Sequence, residues 1–198
     1  MSELVFEDVS MEINKVAIAN NLTFYATRLC CIFFSPDCGT FKELSLLFSK
    51  IHLHSANEIK VRGSVYFDGK VLPAAKFHHL LNQHVVCEGN DSVFDVLSLI
   101  NREEAENMVR KLDIYFYNKR TDHLNVQESR IFEIAVNLIA KPPVMYLKVL
   151  GMSRKQKDKC LSILSEFVQQ HESVVFVETD FRIYLTVRLL SSMRRYSL

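Results

Sequence analysis

LNVQESRIFEIAVNLIAKPPVMYLKV, residues 124–149, is the stretch whose reading decides the fold. Between Ser129 and Ala140 the apolar residues Ile131, Phe132, Ala135, Val136, Leu138 and Ile139 recur at three- and four-residue spacing. That spacing predicts an amphipathic helix with one broad buried face. Pro142 and Pro143 end it, because proline lacks the amide N–H and drives its predecessor out of the helical region. Val144–Leu147 is a short, nearly all-apolar run after the stop, which predicts a strand covered on both faces in a parallel sheet. Helix, double proline and buried strand make an α/β unit.

The same wording resembles a known family. ESRIFEIAVNLIAKPPVMYLKV is similar to the segment joining the signature motif to Walker B in ATP-binding cassette (ABC) ATPases, in particular their White-type (G) subfamily, with its pattern LSGGERKRxSIAVELxxxPxxLFLDEP. In register, Leu124 and Glu128 keep the ends of LSGGE, Ile134, Ala135 and Val136 keep IAV, and Pro142 keeps the proline before the strand. The resemblance implies an α/β fold: a P-loop NTPase-like (RecA-like) core, an N-terminal antiparallel β-subdomain and a reduced helical subdomain near residues 91–127. All of this lies in a single domain over residues 1–198. The chemistry-bearing positions differ. Asn125, Val126 and Gln127 stand for the signature serine and glycines, Lys148 for the magnesium-binding aspartate of Walker B, and Val149 for the catalytic glutamate.

Working outward, LVFEDVSMEI alternates apolar and polar residues, so Leu4–Ile18 reads as strands, with Asn20-Asn21 marking a turn before LTFYA. RLCCIFF (28–34) reads as a buried strand, SPDCGT (35–40) as a turn and FKELSLLFSKIHL (41–53) as a helix, the layout of Walker A. A phosphate loop needs glycines, so that its backbone N–H groups can wrap phosphate, followed by a lysine and Ser/Thr. Here the register puts Ser35, Cys38 and Thr40 at glycine positions, Phe41 at the lysine, and Lys42 and Glu43 at the Ser/Thr pair. A one-residue slip makes Lys42 the lysine but leaves Glu43 facing the phosphates and no glycine in place. ATP is therefore not expected as a ligand, and Ser35, Cys38, Thr40, Phe41, Lys42, Glu43, Cys87, Lys148 and Val149 line a vestigial pocket. Lys148 would neutralise Glu43 or Asp37 inside it.

VRGSVYFDGKVL (61–72) predicts a hairpin turning at Asp68-Gly69. The family's Q-loop glutamine falls on Cys87. Val93–Ile100 begins a helix capped by Asp91 or Ser92, and Arg102–Ile114 is a charged amphipathic helix. The loop YFYNKRTDH carries Tyr115, Phe116, Tyr117, Lys119 and Arg120, which could stack on bases; packing at the core edge is the preferred reading. After Walker B, the D-loop aspartate falls near Lys155. CLSILSEFVQQH is a helix and SVVFV (173–177) a buried strand, with Glu178, Thr179 or Asp180 replacing the switch histidine. FRIYLTVRLL alternates as a last strand, and SSMRRYSL reads as a loose tail.

Composition supports one compact unit: 198 residues, 48% of them apolar, suffice for a single core. No apolar run reaches the roughly 18 residues of a membrane span, and MSELVFEDVS lacks the order of a signal peptide. A cytoplasmic protein without membrane insertion is expected. Cys30, Cys31, Cys38, Cys87 and Cys160 form no framework and read as free thiols. Cys38 at a helix mouth would have a lowered pKa if exposed, but an idle thiol is preferred. His78, His79, His84 and Cys87 match no standard zinc spacing, so no metal is expected. Glu128, Glu133 and Asp122 read as a charged helix face.

Net charge is +1, but from Lys141 onward there are ten Lys/Arg against five Asp/Glu, a net of +5, leaving −4 for the earlier residues. That basic third suggests a polyanionic partner. Lys155, Lys157, Lys159, Arg194 and Arg195, with Tyr117, Lys119 and Arg120, are the partner-binding candidates. The expectation is a non-catalytic ABC ATPase-like protein without cofactor. It would act as a binding or regulatory module on a protein or ribonucleoprotein, the ribosome among them, and would not form a nucleotide-sandwich homodimer. The alternatives are a ribosome-binding factor that silences translation and a residual nucleotide-binding subunit of a membrane transporter.

Overall fold

The computed structural model describes residues 3–27, 29–33, 59–72 and 90–179. Two sheets and a set of helices share them. The first sheet is antiparallel, in the order β2-β1-β4-β5, from β1 (Glu3–Ile13), β2 (Val16–Thr27), β4 (Ile59–Phe67) and β5 (Lys70–Val71). The second is parallel, in the order β3-β7-β6, from β3 (Leu29–Phe33), β7 (Val174–Thr179) and β6 (Val144–Lys148). The helices are α1 (Val93–Ile100), α2 (Arg102–Lys111), α3 (Val126–Ala140) and α4 (Arg154–Gln170), with a 3-10 turn at Thr121–His123.

The deciding segment folds as its pattern requires. α3 starts earlier than Ser129, because Asn125 caps it and Glu128 closes a capping box, which satisfies donors that the first turn leaves orphaned. It ends at Lys141 in the left-handed conformation, φ 52°, just before the two prolines. β6 is buried from Val144 through Leu147, and each such aliphatic side chain contributes about 2 kcal/mol by leaving water.

The parallel sheet divides the core by residue parity. Val144, Tyr146, Val174 and Phe176 face the antiparallel sheet and pack with Leu4, Phe6, Val9 and Met11. Met145, Leu147, Val175 and Val177 face the helices and pack with Ile134, Leu138, Leu161 and Leu164. This two-residue period on a sheet buried on both sides explains why the strands read as unbroken apolar runs.

The Asp68-Gly69 hairpin lies where the sequence puts it, with φ of 51° and 70° at its two turn residues. The other hairpin corrects the expectation. The chain reverses at Asn14-Lys15, φ 51° and 66°, and Asn20-Asn21 lies inside β2. Asn21 (φ 49°) occupies a bulge, and Asp8 (φ 49°) another on β1. Asparagine and aspartate tolerate positive φ, so an Asn-Asn pair marks a bulge as well as a turn. The bulge around Asp8 also explains Gly63: a Cβ there would sit 2.4 Å from the Asp8 carbonyl oxygen.

Two helix ends also differ. α2 stops at Lys111, and Asp113 (φ 53°) turns the chain so that Ile114, 1% exposed, re-enters the core. α4 begins at Arg154, six residues before Cys160, because Ser153 and Gln156 form a capping box. Lys155, near which the resemblance puts the D-loop aspartate, is therefore already helical. The expected helix 41–53, strand 181–190 and tail lie outside the described residues.

Candidate functional site

β6 and β7 run parallel in direct register, pairing Tyr146 with Phe176 and Lys148 with Glu178. Parity puts Tyr146, Lys148 and Glu178 on one face at the strands' C-terminal ends, the edge where open α/β sheets usually carry their sites. Lys148 Nζ lies 3.5 Å from Glu178 Oε2. The Tyr146 hydroxyl donates to the same oxygen, and the ammonium sits 5.6 Å from the Tyr146 ring centroid. Glu178 is 4% exposed. Val149 is fully buried, and its N–H donates to the Glu178 carbonyl at 3.0 Å.

This arrangement fixes what the position can do. A magnesium ion seeks carboxylate oxygens and water, whereas a protonated amine offers donors only. The Glu178 carboxylate beside Lys148 is engaged by that amine and by a phenol. Among the described residues, no group of three or more His, Cys, Asp and Glu is placed to hold a metal. Glu43 and Asp37, the partners expected for Lys148, lie outside the described residues; the partner that the structure provides is Glu178. That partner is set by the register of β6 and β7, which aligns Lys148 with Glu178 one residue before the end of β7, and no local pattern in the sequence shows it.

At the start of α3, Asn125 Oδ1 accepts the Glu128 N–H at 3.0 Å, and Glu128 Oε2 accepts the Asn125 N–H at 2.9 Å. Lys119 Nζ joins at 2.6 Å. Glu128 is 5% exposed, so it does not belong to a solvated charged face. The hydrogen bond from Lys119, with that from the Asn125 N–H, holds its carboxyl below the usual glutamate range against the opposing effect of burial. Val126 is exposed, and Gln127 donates to the Gly151 carbonyl at 2.9 Å.

The candidate basic contacts scatter. Lys157 is 3% exposed, which corrects its assignment to a solvent-facing set; its spacing with Leu161, Leu164 and Val168 marks the buried face of α4. Lys159 pairs with Asp113, and Arg120 with Asp122 at 2.8 Å. Lys155 is exposed. Tyr117 is half-exposed and, with Phe94, Glu106, Val109 and Arg110, lines an open pocket of about 350 Å³. Phe116 is buried, in keeping with the packing reading for that ring, and Tyr115 is exposed against it. Ser35, Cys38, Thr40, Phe41, Lys42, Glu43, His78, His79, His84, Cys87, Arg194 and Arg195 lie outside the described residues. Burial pushes the Cys160 thiol up to about 11. Among the described residues, no helix is long and apolar enough to cross a membrane.

No family model and no curated protein matches the sequence. Solved structures do resemble it. A putative ABC transporter ATP-binding protein from Pyrococcus furiosus superposes with a TM-score of 0.68 at 15% identity, over 92% of this chain and 94% of that one. CbiO1 from Clostridium perfringens, part of the ABC transporter complex cbiONQ, superposes with a TM-score of 0.63 at 17% identity, over 90% of this chain and 78% of that one. A bacterial Atm1-family ABC exporter with ATP bound gives 0.64 at 13% identity, over 90% of this chain and 34% of that much longer one. At such identities the likeness is one of fold, and the fold of this chain is that of the ATP-binding domains of ABC transporters.

Proposed function

We propose that the chain is a non-catalytic ABC ATPase-like domain, a pseudo-ATPase akin to the White-type subfamily, that serves as a binding or regulatory module. The observation that carries this reading is the Lys148–Glu178 pair, 3.5 Å apart, with the Tyr146 hydroxyl on the same carboxylate oxygen. A cation stands where the resemblance puts the magnesium-binding aspartate, and its charge is balanced from within. The buried aliphatic Val149 stands for the catalytic glutamate and has no proton to transfer. A scaffold kept while its reactive groups change supports binding rather than turnover.

Isothermal titration with ATP and magnesium tests the proposal. The expected result is no binding tighter than about 100 μM, an affinity worth about 5.5 kcal/mol, and no hydrolysis. Lys148→Asp alone should not produce hydrolysis, since Val149 remains. Tighter binding or measurable turnover in either protein overturns it.

The fold shared with a structure that holds ATP favours a second reading, a residual nucleotide-binding subunit of a membrane transporter, and the same titration separates the two. A ribosomal partner draws less support, because Lys119, Arg120 and Lys159 are ion-paired within the chain and Lys157 is buried. Ribosome co-sedimentation that fades with salt would restore it.

A further inference from the structure

We infer that residues 115–120 form a strap that holds the first turns of α1 and α3 together, with Lys119 as its fastening. The inference stands apart from the question of nucleotide binding. A helix begins with N–H groups that lack intrahelical acceptors. In α1, two of these donate to the strap's backbone: Val93 N–H to the Lys119 carbonyl at 3.0 Å, and Phe94 N–H to the Tyr117 carbonyl at 2.9 Å. In α3, the capping carboxylate of Glu128 takes the Lys119 ammonium at 2.6 Å. One residue thus serves α1 with its carbonyl and α3 with its side chain.

The strap is tied at both ends. Phe116 is buried in the helical core. Beyond Lys119, Arg120 pairs with Ser92 in a β-bridge and donates to Asn90 at 2.8 Å, while Thr121 N–H donates to the Asp91 carbonyl at 3.0 Å. Lys119 itself keeps 36% of its side chain exposed, whereas Glu128 keeps 7%. The fastening can be reached from solvent, and loss of one charge would leave a buried carboxylate without its strongest donor. The two helix starts would then loosen as a unit. The device lets an event at the Lys119 amine be felt at the start of α3, where the resemblance places the signature motif, and at the start of α1.

Glu128→Gln is the incisive test, because glutamine closes a capping box as glutamate does while removing the charge that Lys119 binds. Amide hydrogen exchange is followed at Val93 and Phe94 in α1, at Asn125 and Glu128 in α3, and at Met145 in β6 as a reference for global opening. Expected are exchange rates about tenfold higher at Val93 and Phe94 in Glu128→Gln, with Met145 unchanged. The same pattern is expected in Lys119→Met, and none of it in Lys155→Met. Unchanged exchange at Val93 and Phe94 in Glu128→Gln makes Lys119 a local contact of α3 and overturns the strap. A rise at Met145 that matches theirs overturns it too, since the variant would then have lost stability as a whole. Should Lys119→Met fail to fold, Glu128→Gln decides alone.

Discussion

Removal of the Lys148–Glu178 attraction should register as a coupling energy of about 1–2 kcal/mol in a double-mutant cycle of Lys148→Met and Glu178→Gln. At 3.5 Å, two unit charges attract by about 5 kcal/mol at an effective dielectric constant of about 20, and by about 1 kcal/mol in bulk water. Glu178 keeps only 5% of its side chain exposed, but Lys148 keeps 26%, so solvent screens one partner and the net value falls toward the lower limit. The Tyr146 hydroxyl stays on the carboxylate in Lys148→Met, which limits the penalty of that single change. Urea denaturation of the four proteins at neutral pH gives the coupling from four unfolding free energies. A coupling below about 0.3 kcal/mol, within the additivity of independent sites, would refute the claim that these residues balance each other at the end of the sheet.

Three further outcomes are expected. Val136→Asp puts a carboxylate at a position 6% exposed on α3 and should destabilise the chain by about 3–5 kcal/mol; an unchanged melting temperature would contradict the buried face. Because the folded protein lowers the Glu128 pKa, its contribution is complete above the unfolded value, about 4.3, and is lost as pH falls through the lower folded value. The stability gap between the native protein and Glu128→Gln should therefore close on acidification from about pH 6 through that range, and a gap independent of pH would count against the Lys119 contact. Cys160, 3% exposed with its thiol raised to about 11, should react with a soluble disulfide reagent only after denaturation; labelling of Cys160 in the native protein, located by peptide mapping, would show that α4 does not bury it.

Local physics made much of the fold legible. The 129–140 periodicity, the two prolines and the apolar run after them gave α3 and β6 to within three residues at either end, since burial and proline stereochemistry act within a few residues. Asp68-Gly69 was readable because few dipeptides accept two positive φ angles in succession. The turn at Asn14-Lys15 was obscured by three register shifts between β1 and β2, each of which moves the strand alternation by one residue. At the site, the type and position of Lys148 were visible, but its ion-pair partner was not, because that partner is set by the register of strands about thirty residues apart. The burial of Lys157 was legible from its spacing with Leu161, Leu164 and Val168, which marks it as facing the core despite its charge. The burial of Glu128 was not legible, since it depends on a lysine arriving from a different loop.

The alignment of Lys148 with Glu178 across β6 and β7 also bears on how the sequence can drift. A carboxylate introduced at position 148 in one step would sit beside a buried Glu178, where like charges repel. Changing Glu178 first removes the carboxylate that Lys148 meets among the described residues. Either single change gives a less stable chain, so the two positions are expected to vary together: exchange of the two charges, or their joint replacement by neutral residues, keeps the balance that a single substitution breaks.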